Sequence, residues 1–317
     1  MANILFIKTS SLGDVIHHMP AIAEARRHLP DARFAWVVEE AFAPLVRLHP
    51  AVDEVIPVAA RRWRRAPLSA STWTDVRDFV RHIRSRRHDA VVDTQGLLRT
   101  ALIARLAHGR RHGYDRHSIR ESLASPFYDV RHRISRSLHA IARNRALTGR
   151  ALGYAPDGAI DFGLERSKLA GPAAAPYGVL LHATARPEKQ WPEERWVALG
   201  RDLAARGVEL LLPWGSEPER LRSERIAAGI PGARVPERRP VDAVARRIAG
   251  AQFVVGVDTG LLHLATALAV PLVGIFVGSE PGLTGPMGCG PIAIVGRKGA
   301  MPATGDVLAA LNPLLGR

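Results

Sequence analysis

Ile4-Leu5-Phe6-Ile7-Lys8-Thr9-Ser10-Ser11-Leu12-Gly13-Asp14-Val15 sets the reading of the whole chain. An apolar run of strand character ends at Lys8. A short polar turn follows, and then Val15, Ile16, Met19, Ile22 and Ala23 recur at helical spacing. Strand, tight loop and helix form the unit from which open parallel sheets are wound. Ligands bind such sheets outside the carboxyl ends of the strands. Asp14, read as the first residue of the helix, is therefore a candidate catalytic base. It is also a candidate N-cap, since a short carboxylate satisfies free N–H groups and the helix dipole. Local sequence alone favours the cap.

The same logic recurs outward from that stretch. Ala32–Glu40 reads as a second strand and Val52–Val58 as a third. Thr72–His88 has one apolar helical face in Val76, Phe79, Val80 and Ile83. Ala90–Gly96 is a fourth strand that ends in Asp93-Thr94-Gln95-Gly96, and Leu97–Leu106 resumes helix. Strand–helix alternation predicts a doubly wound parallel sheet. Arg61-Arg62-Trp63-Arg64-Arg65 has no acid within it, so it reads as a basic loop suited to phosphate or carboxylate. Trp63 is a candidate for a lipid interface or for base stacking. His112, Tyr114, Arg116, His117 and Arg120 form a second polar and basic cluster.

Gly153–Pro176 is rich in Gly, Pro and Ala and marks an interdomain connection. Beyond it, Tyr177–Thr184 reads as a strand ending in a turn that carries Lys189. Pro192-Glu193-Glu194 opens a helix. Phe253-Val254-Val255-Gly256-Val257 then runs as a buried strand into Asp258-Thr259-Gly260, with a helix following at once. Free N–H groups at that helix start suit a phosphate, with Lys189 as a cation and His263 one turn on. Asp258 also reads as a cap and His263 as a core histidine.

Composition bounds the answer. With 317 residues, two domains are expected. The apolar share of 47% and charged share of 23% are those of a globular protein. No apolar segment reaches the ~20 residues of a membrane span, and the amino terminus has no signal-peptide pattern. A single cysteine, Cys289, excludes an intrachain disulfide framework and fits a reducing cytoplasm. Lys and Arg exceed Asp and Glu by 14, which points to anionic partners. P-loop, dinucleotide and nucleophile-elbow motifs are absent, as is any clustered metal-ligand set.

Together, Lys8–Val15, Trp36-Val37-Val38-Glu39-Glu40, Arg61–Arg64, Asp93–Leu97, Arg120–Ser125, Lys189–Glu194, Leu212–Gly215 and Val257–Leu261 resemble glycosyltransferase family 9, the lipopolysaccharide heptosyltransferases. Within that family the Lys-Thr-Ser-Ser opening and the Arg-Arg-Trp-Arg run resemble the heptosyltransferase I branch. The resemblance implies an α/β GT-B fold of two Rossmann-like domains whose parallel sheets face a central cleft. Met1–Ile160 would bind the acceptor and Asp161–Arg317 the nucleotide sugar. The last helix is a candidate to pack back on the N-terminal domain.

The implied reaction moves L-glycero-D-manno-heptose from ADP-heptose to the inner Kdo of Kdo2-lipid A, inverting the anomeric carbon with no metal and no cofactor. Asp14 matches the family's base. Thr184, Ala185, Lys189, Glu219, Asp258, Thr259, Gly260 and His263 match donor positions. Ser10, Ser11, Arg61, Arg62, Arg64, Arg65, Gln95 and Arg120 fall on the acceptor side. Ala185 stands where a hydroxyl residue is frequent, Arg65 where Lys is frequent, and Pro236–Pro240 matches poorly. The expected location is cytoplasmic, peripheral on the anionic inner-membrane surface. Rival readings are heptosyltransferase II or a later core transferase, a nucleotide-sugar epimerase, and a nucleic-acid-binding protein. The last lacks a helix-turn-helix, an aromatic RNA platform and a zinc module.

Overall fold

β1 (Asn3–Ile7) is buried almost throughout, with Leu5, Phe6 and Ile7 fully enclosed. A parallel strand covered on both faces reads as a continuous apolar run, and this one does. The computed structural model describes residues 1–171, 175–184 and 186–316. Two units divide the chain, Met1–Gly163 and Leu164–Arg317.

In the first unit β1 leads to α1 (Leu12–His28), β2 (Arg33–Glu39), the short α2 (Ala43–Val46) and β3 (Glu54–Val58). Then come α3 (Ala60–Arg65), α4 (Ala70–Arg84), β4 (Arg87–Asp93), α5 (Leu98–Leu106), β5 (His108–Tyr114), β6 (Val130–His132) and α6 (Ala140–Leu152). The strand order is β3-β2-β1-β4-β5-β6, parallel throughout. The order reverses between β1 and β4, and a crevice opens at such a switch point.

Several boundaries differ from the sequence reading. α1 begins at Leu12, with Ser11 in extended conformation as its N-cap, so Asp14 is not the cap. Asp14 lies one turn inside, where its Oδ2 accepts the Ser11 N–H at 2.9 Å and the Ser11 hydroxyl at 3.3 Å. The helix expected over Thr72–His88 stops at Arg84, because Arg87 and His88 already belong to β4. Arg61–Arg65, expected as a loop, form most of α3. His112 and Tyr114, read as part of a polar and basic cluster, are buried in β5. The His-Gly-Arg-Arg-His-Gly-Tyr run carries no strand signal of its own. Pairing with β4 and β6 makes it a strand, so tertiary context overrides propensity.

The second unit contains α7 (Arg166–Leu169), β7 (Tyr177–Leu181), α8 (Glu193–Ala205), β8 (Glu209–Leu211), α9 (Glu217–Ala228) and α10 (Val241–Gly250). It continues with β9 (Phe253–Val257), α11 (Gly260–Ala267), β10 (Leu272–Ile275), β11 (Ile292–Val295) and α12 (Thr304–Leu311). The order β11-β10-β9-β7-β8 is again parallel, with its switch point between β7 and β9. The last helix buries Val307 and Leu311 in the core of this unit, with Trp191, Trp196 and Ile275.

Candidate active site

The β1/β4 switch point carries a concavity of about 660 Å3 in the N-terminal unit. The turns after the two strands are tied together there. Lys8 Nζ donates to the Thr94 carbonyl at 2.9 Å, and the Ser10 N–H donates to Gln95 Oε1 at 3.2 Å. Ser10, Ser11, Asp14, Gln95, Arg64 and Arg120 all line the space. Six of the sequence-selected positions therefore converge. Arg99, which sequence reading passed over, lines it too and donates to the Ser10 hydroxyl at 2.6 Å. Leu97, Leu98 and Leu102 give it an apolar wall.

Burial shapes the charges behind this pocket. Lys8 is 6% exposed, and its desolvation holds the ammonium below its ordinary pKa against the pull of Asp14 and Asp93. Asp93 is fully buried, and desolvation raises its carboxyl although several groups donate to it. These donors are the Tyr128 hydroxyl at 2.7 Å and the Gln95 and Gly96 N–H groups at 2.8 and 3.2 Å. Asp93 thus shapes the turn from below. Gly96 has φ +68°, and a Cβ there would meet Ile119 at 2.9 Å, so the turn requires glycine.

The arginine run divides by role. Arg64 reaches the pocket lining, whereas Arg61, Arg62 and Arg65 are not among its residues. Arg62 is held by Glu40 at 3.1 Å and Asp75 at 2.5 Å, so acids distant in sequence do pair with the run. Arg61 donates its backbone N–H to Glu39 at 3.0 Å and stacks its guanidinium 5.3 Å from the Phe42 ring centre. Trp63 packs edge-on against Phe79 with 5.7 Å between centroids, so it is not the exposed aromatic of this region.

In the C-terminal unit Asp258 is the hub of the β7/β9 switch point. Lys189 Nζ lies 2.5 Å from Asp258 Oδ2, and the Ser279 hydroxyl donates to the same oxygen at 2.6 Å. Thr184 Oγ1 donates to the Asp258 carbonyl at 3.0 Å, and His263 Nε2 stands 3.9 Å from Oδ1. Burial pushes the Asp258 carboxyl up, but the Lys189 and Ser279 hydrogen bonds outweigh it and hold the group below the usual range. Thr259 is the N-cap of α11, and no side chain closes that helix start. The N–H groups of the first turn have no carbonyl partner within a helix, which leaves the Thr259–Gly260 end suited to an anion.

Ser279 was missed because the run before it, Leu272–Ile275, was not read as a strand. A serine just past a strand's carboxyl end is the signal that was available. A Cβ at Gly278 would lie 2.3 Å from the Glu188 carbonyl oxygen, so glycine lets the Ser279 segment pass the Lys189 turn. Glu219 caps α9, accepting from the Gly215 and Ser216 N–H groups at 2.7 and 3.2 Å. Ala185 lies outside the described residues.

Among the described residues one set, Glu24, His28 and Asp157, could bring three metal-ligand atoms within 4.8 Å of one another. Glu24 already takes both Nε and Nη2 of Arg145, and Asp157 takes Arg27 at 2.9 Å, so guanidinium groups meet these charges.

Known proteins share this frame. The family model "Glycosyltransferase family 9 (heptosyltransferase)" matches residues 76–307. Lipopolysaccharide heptosyltransferase 1 of Escherichia coli strain K12 is 44% identical over 289 residues, covering 90% of this chain and 91% of its own. The solved E. coli heptosyltransferase WaaC with ADP superposes with a TM-score of 0.91 at 39% identity, covering 98% of this chain and 99% of that one. The same enzyme with ADP-2-deoxy-2-fluoro heptose gives 0.88 at 39% identity, with the same coverage. With two doubly wound parallel units and similarity across nearly its full length, the chain belongs to glycosyltransferase family 9, the heptosyltransferases.

Proposed function

We propose that this enzyme transfers L-glycero-D-manno-heptose from ADP-heptose to the inner Kdo of Kdo2-lipid A, with inversion and without a metal. The observation that carries the reading is the N-terminal pocket. Asp14 shares it with Arg64, Arg99 and Arg120, while the second carboxylate of the lining, Glu121, accepts the Leu98 N–H at 2.7 Å. An acceptor rich in carboxylate and phosphate needs guanidinium partners, and its hydroxyl needs a base. Asp14 takes the hydroxyl proton while that oxygen bonds to the anomeric carbon and the bond to the ADP β-phosphate oxygen breaks. Ser10, Ser11 and Gln95 orient the acceptor.

The departing ADP gains negative charge. Lys189 and the open start of α11 at Thr259 and Gly260 hold its phosphates, which is work a metal does elsewhere. Asp258 holds the Lys189 ammonium in place, and His263 stands beside it. Thr184 and Glu219 complete the donor side. The relatives named above, one solved with ADP and one with a fluorinated ADP-heptose, support this donor.

The enzyme works at the cytoplasmic face of the inner membrane. No helix among the described residues is long and apolar enough to cross a bilayer. Leu68 and Trp73 are 94% and 60% exposed, close in sequence to Arg64 and Arg65. Exposed apolar side chains beside basic ones suit an anionic lipid surface.

The test is incubation of the purified chain with ADP-heptose and Kdo2-lipid A in excess chelator, read by the mass of the lipid. One added heptose is expected. Extension of an already heptosylated acceptor alone would overturn the acceptor in favour of a later core step. Product only without chelator would overturn metal independence.

A further inference from the structure

A second concavity, of about 640 Å3, lies in the N-terminal unit at the amino ends of β4 and β5, whereas Asp14 follows a carboxyl end. Strand pairing slips here. Arg87 faces His108, but Ala90 faces Arg110, so three steps along β4 meet two along β5. Such an irregularity bends a strand and re-aims its side chains. A Cβ on Gly109 would lie 2.4 Å from the His88 carbonyl oxygen, so only glycine lets β5 close against the slipped segment.

The lining is strongly basic. Arg84, Arg86, Arg87 and Arg110 contribute four guanidinium groups against one carboxylate, that of Asp89. Arg86 is paired with Glu54 at 2.6 Å, and Asp89 accepts the Asn3 N–H at 2.7 Å. Among the described residues Arg87 and Arg110 form no ion pair, although both are exposed. Beneath them His88 is 6% exposed and lines the same cavity. Its Nδ1 is buried with no hydrogen-bond partner in the protein. Buried polar atoms are nearly always satisfied, so an orphan beside unpaired guanidiniums calls for a ligand with acceptor oxygens.

We propose that this cavity binds a phosphate-class oxyanion, with Arg87 and Arg110 as its charge partners and His88 Nδ1 as a donor from below. A phosphate dianion accepts from a planar guanidinium fork and from a ring N–H alike. The anion has two sources, a free phosphorylated solute or the headgroup of an anionic lipid. Neither uses the pocket that holds Asp14.

Protein labelled with 15N-histidine, saturated with ADP to fill the donor site, is titrated with inorganic phosphate. The His88 and His108 ring resonances are assigned through His88→Gln and His108→Gln. A saturable shift of both is expected, with affinity about tenfold weaker or more in Arg87→Gln/Arg110→Gln. An Arg47→Gln/Arg136→Gln control, removing equal charge elsewhere, should bind as the parent does. Heptose transfer and the circular dichroism of the Arg87→Gln/Arg110→Gln protein should match the parent. An absent shift, or one unchanged in that variant, overturns the proposal. Sedimentation with phosphatidylglycerol vesicles separates the sources. Binding lost only in Arg87→Gln/Arg110→Gln assigns a lipid headgroup, while unaltered binding together with the phosphate shift assigns a free solute.

Discussion

Lys189 and Asp258 meet at 2.5 Å across the carboxyl ends of β7 and β9, with the Ser279 hydroxyl on the same carboxylate oxygen. Two side chains from separate turns thereby form one charged unit, 19% and 9% exposed. A group this enclosed depends on its partner, because an unpaired buried charge is costly.

Lys189→Gln should therefore act twice. Stability of the C-terminal unit should fall by about 3 kcal/mol at neutral pH, since Asp258 is left buried without its cation. ADP affinity should fall as well. Asp258 has a depressed folded pKa, so its contribution is fully present above the unfolded value and is lost as pH falls through the folded one. Urea denaturation at pH 7 and near pH 3 should show the parent losing stability on acidification and the variant losing less.

Asp14→Asn keeps an oxygen that can accept the Ser11 N–H but cannot accept a proton from substrate. Turnover should drop by about 100- to 10,000-fold. Calorimetry should find ADP affinity and melting temperature close to those of the parent. Turnover within a few-fold of the parent would remove Asp14 as the base.

The arginines should separate by position. Arg64→Ala, Arg99→Ala and Arg120→Ala should raise the acceptor KM, each by about tenfold or more, with donor KM unchanged. Arg62 holds Glu40 and Asp75, so Arg62→Ala should loosen α3 and respond to salt differently. Steady-state kinetics with each substrate varied in turn makes the distinction. Equal acceptor KM values for Arg62→Ala and Arg64→Ala would contradict it.

Two buried histidines set an acid limit. Burial lowers His49 and His182 to about 4, and each is held neutral, His49 near the Met19 carbonyl and His182 on the Ser223 hydroxyl. The unfolded chain takes up protons near pH 6.5, while the folded chain resists until about 4. Stability should therefore decline as pH falls between those values, by on the order of 3 kcal/mol per histidine. His182→Gln should flatten that slope for the C-terminal unit in pH-stepped denaturation.

Much of this was legible because the informative segments are buried strands that end in polar turns. Ile4–Ile7 and Phe253–Val257 are read from apolar continuity, and Asp14, Gln95 and Asp258 from their place just beyond it. Other features required the tertiary structure. β5 has no apolar pattern, and its neighbours alone make it a strand. The pairing of Arg62 with Glu40 and Asp75 joins residues 22 and 13 positions away, which local charge counting does not reach. Arg99 has no acid beside it in sequence, and only the packing of α5 brings it to the Ser10 hydroxyl, 89 positions away. The resemblance to family 9 named the donor and acceptor, which no strand pattern could do.

The links from Lys8 to Thr94 and from Ser10 to Gln95 span 86 and 85 residues. The N-terminal pocket therefore forms only after both ends of this long segment have been made, although the first half of its lining leaves the ribosome among the earliest residues. A nascent chain that ends before β4 has Asp14 and α1 but no opposing wall. Closing so long a loop precedes any reward from the contacts it makes, which ties the appearance of the pocket to one slow pairing event. Acceptor competence during synthesis should then arise in a single step, once Gln95, Arg99 and Arg120 have emerged and β4 has docked on β1.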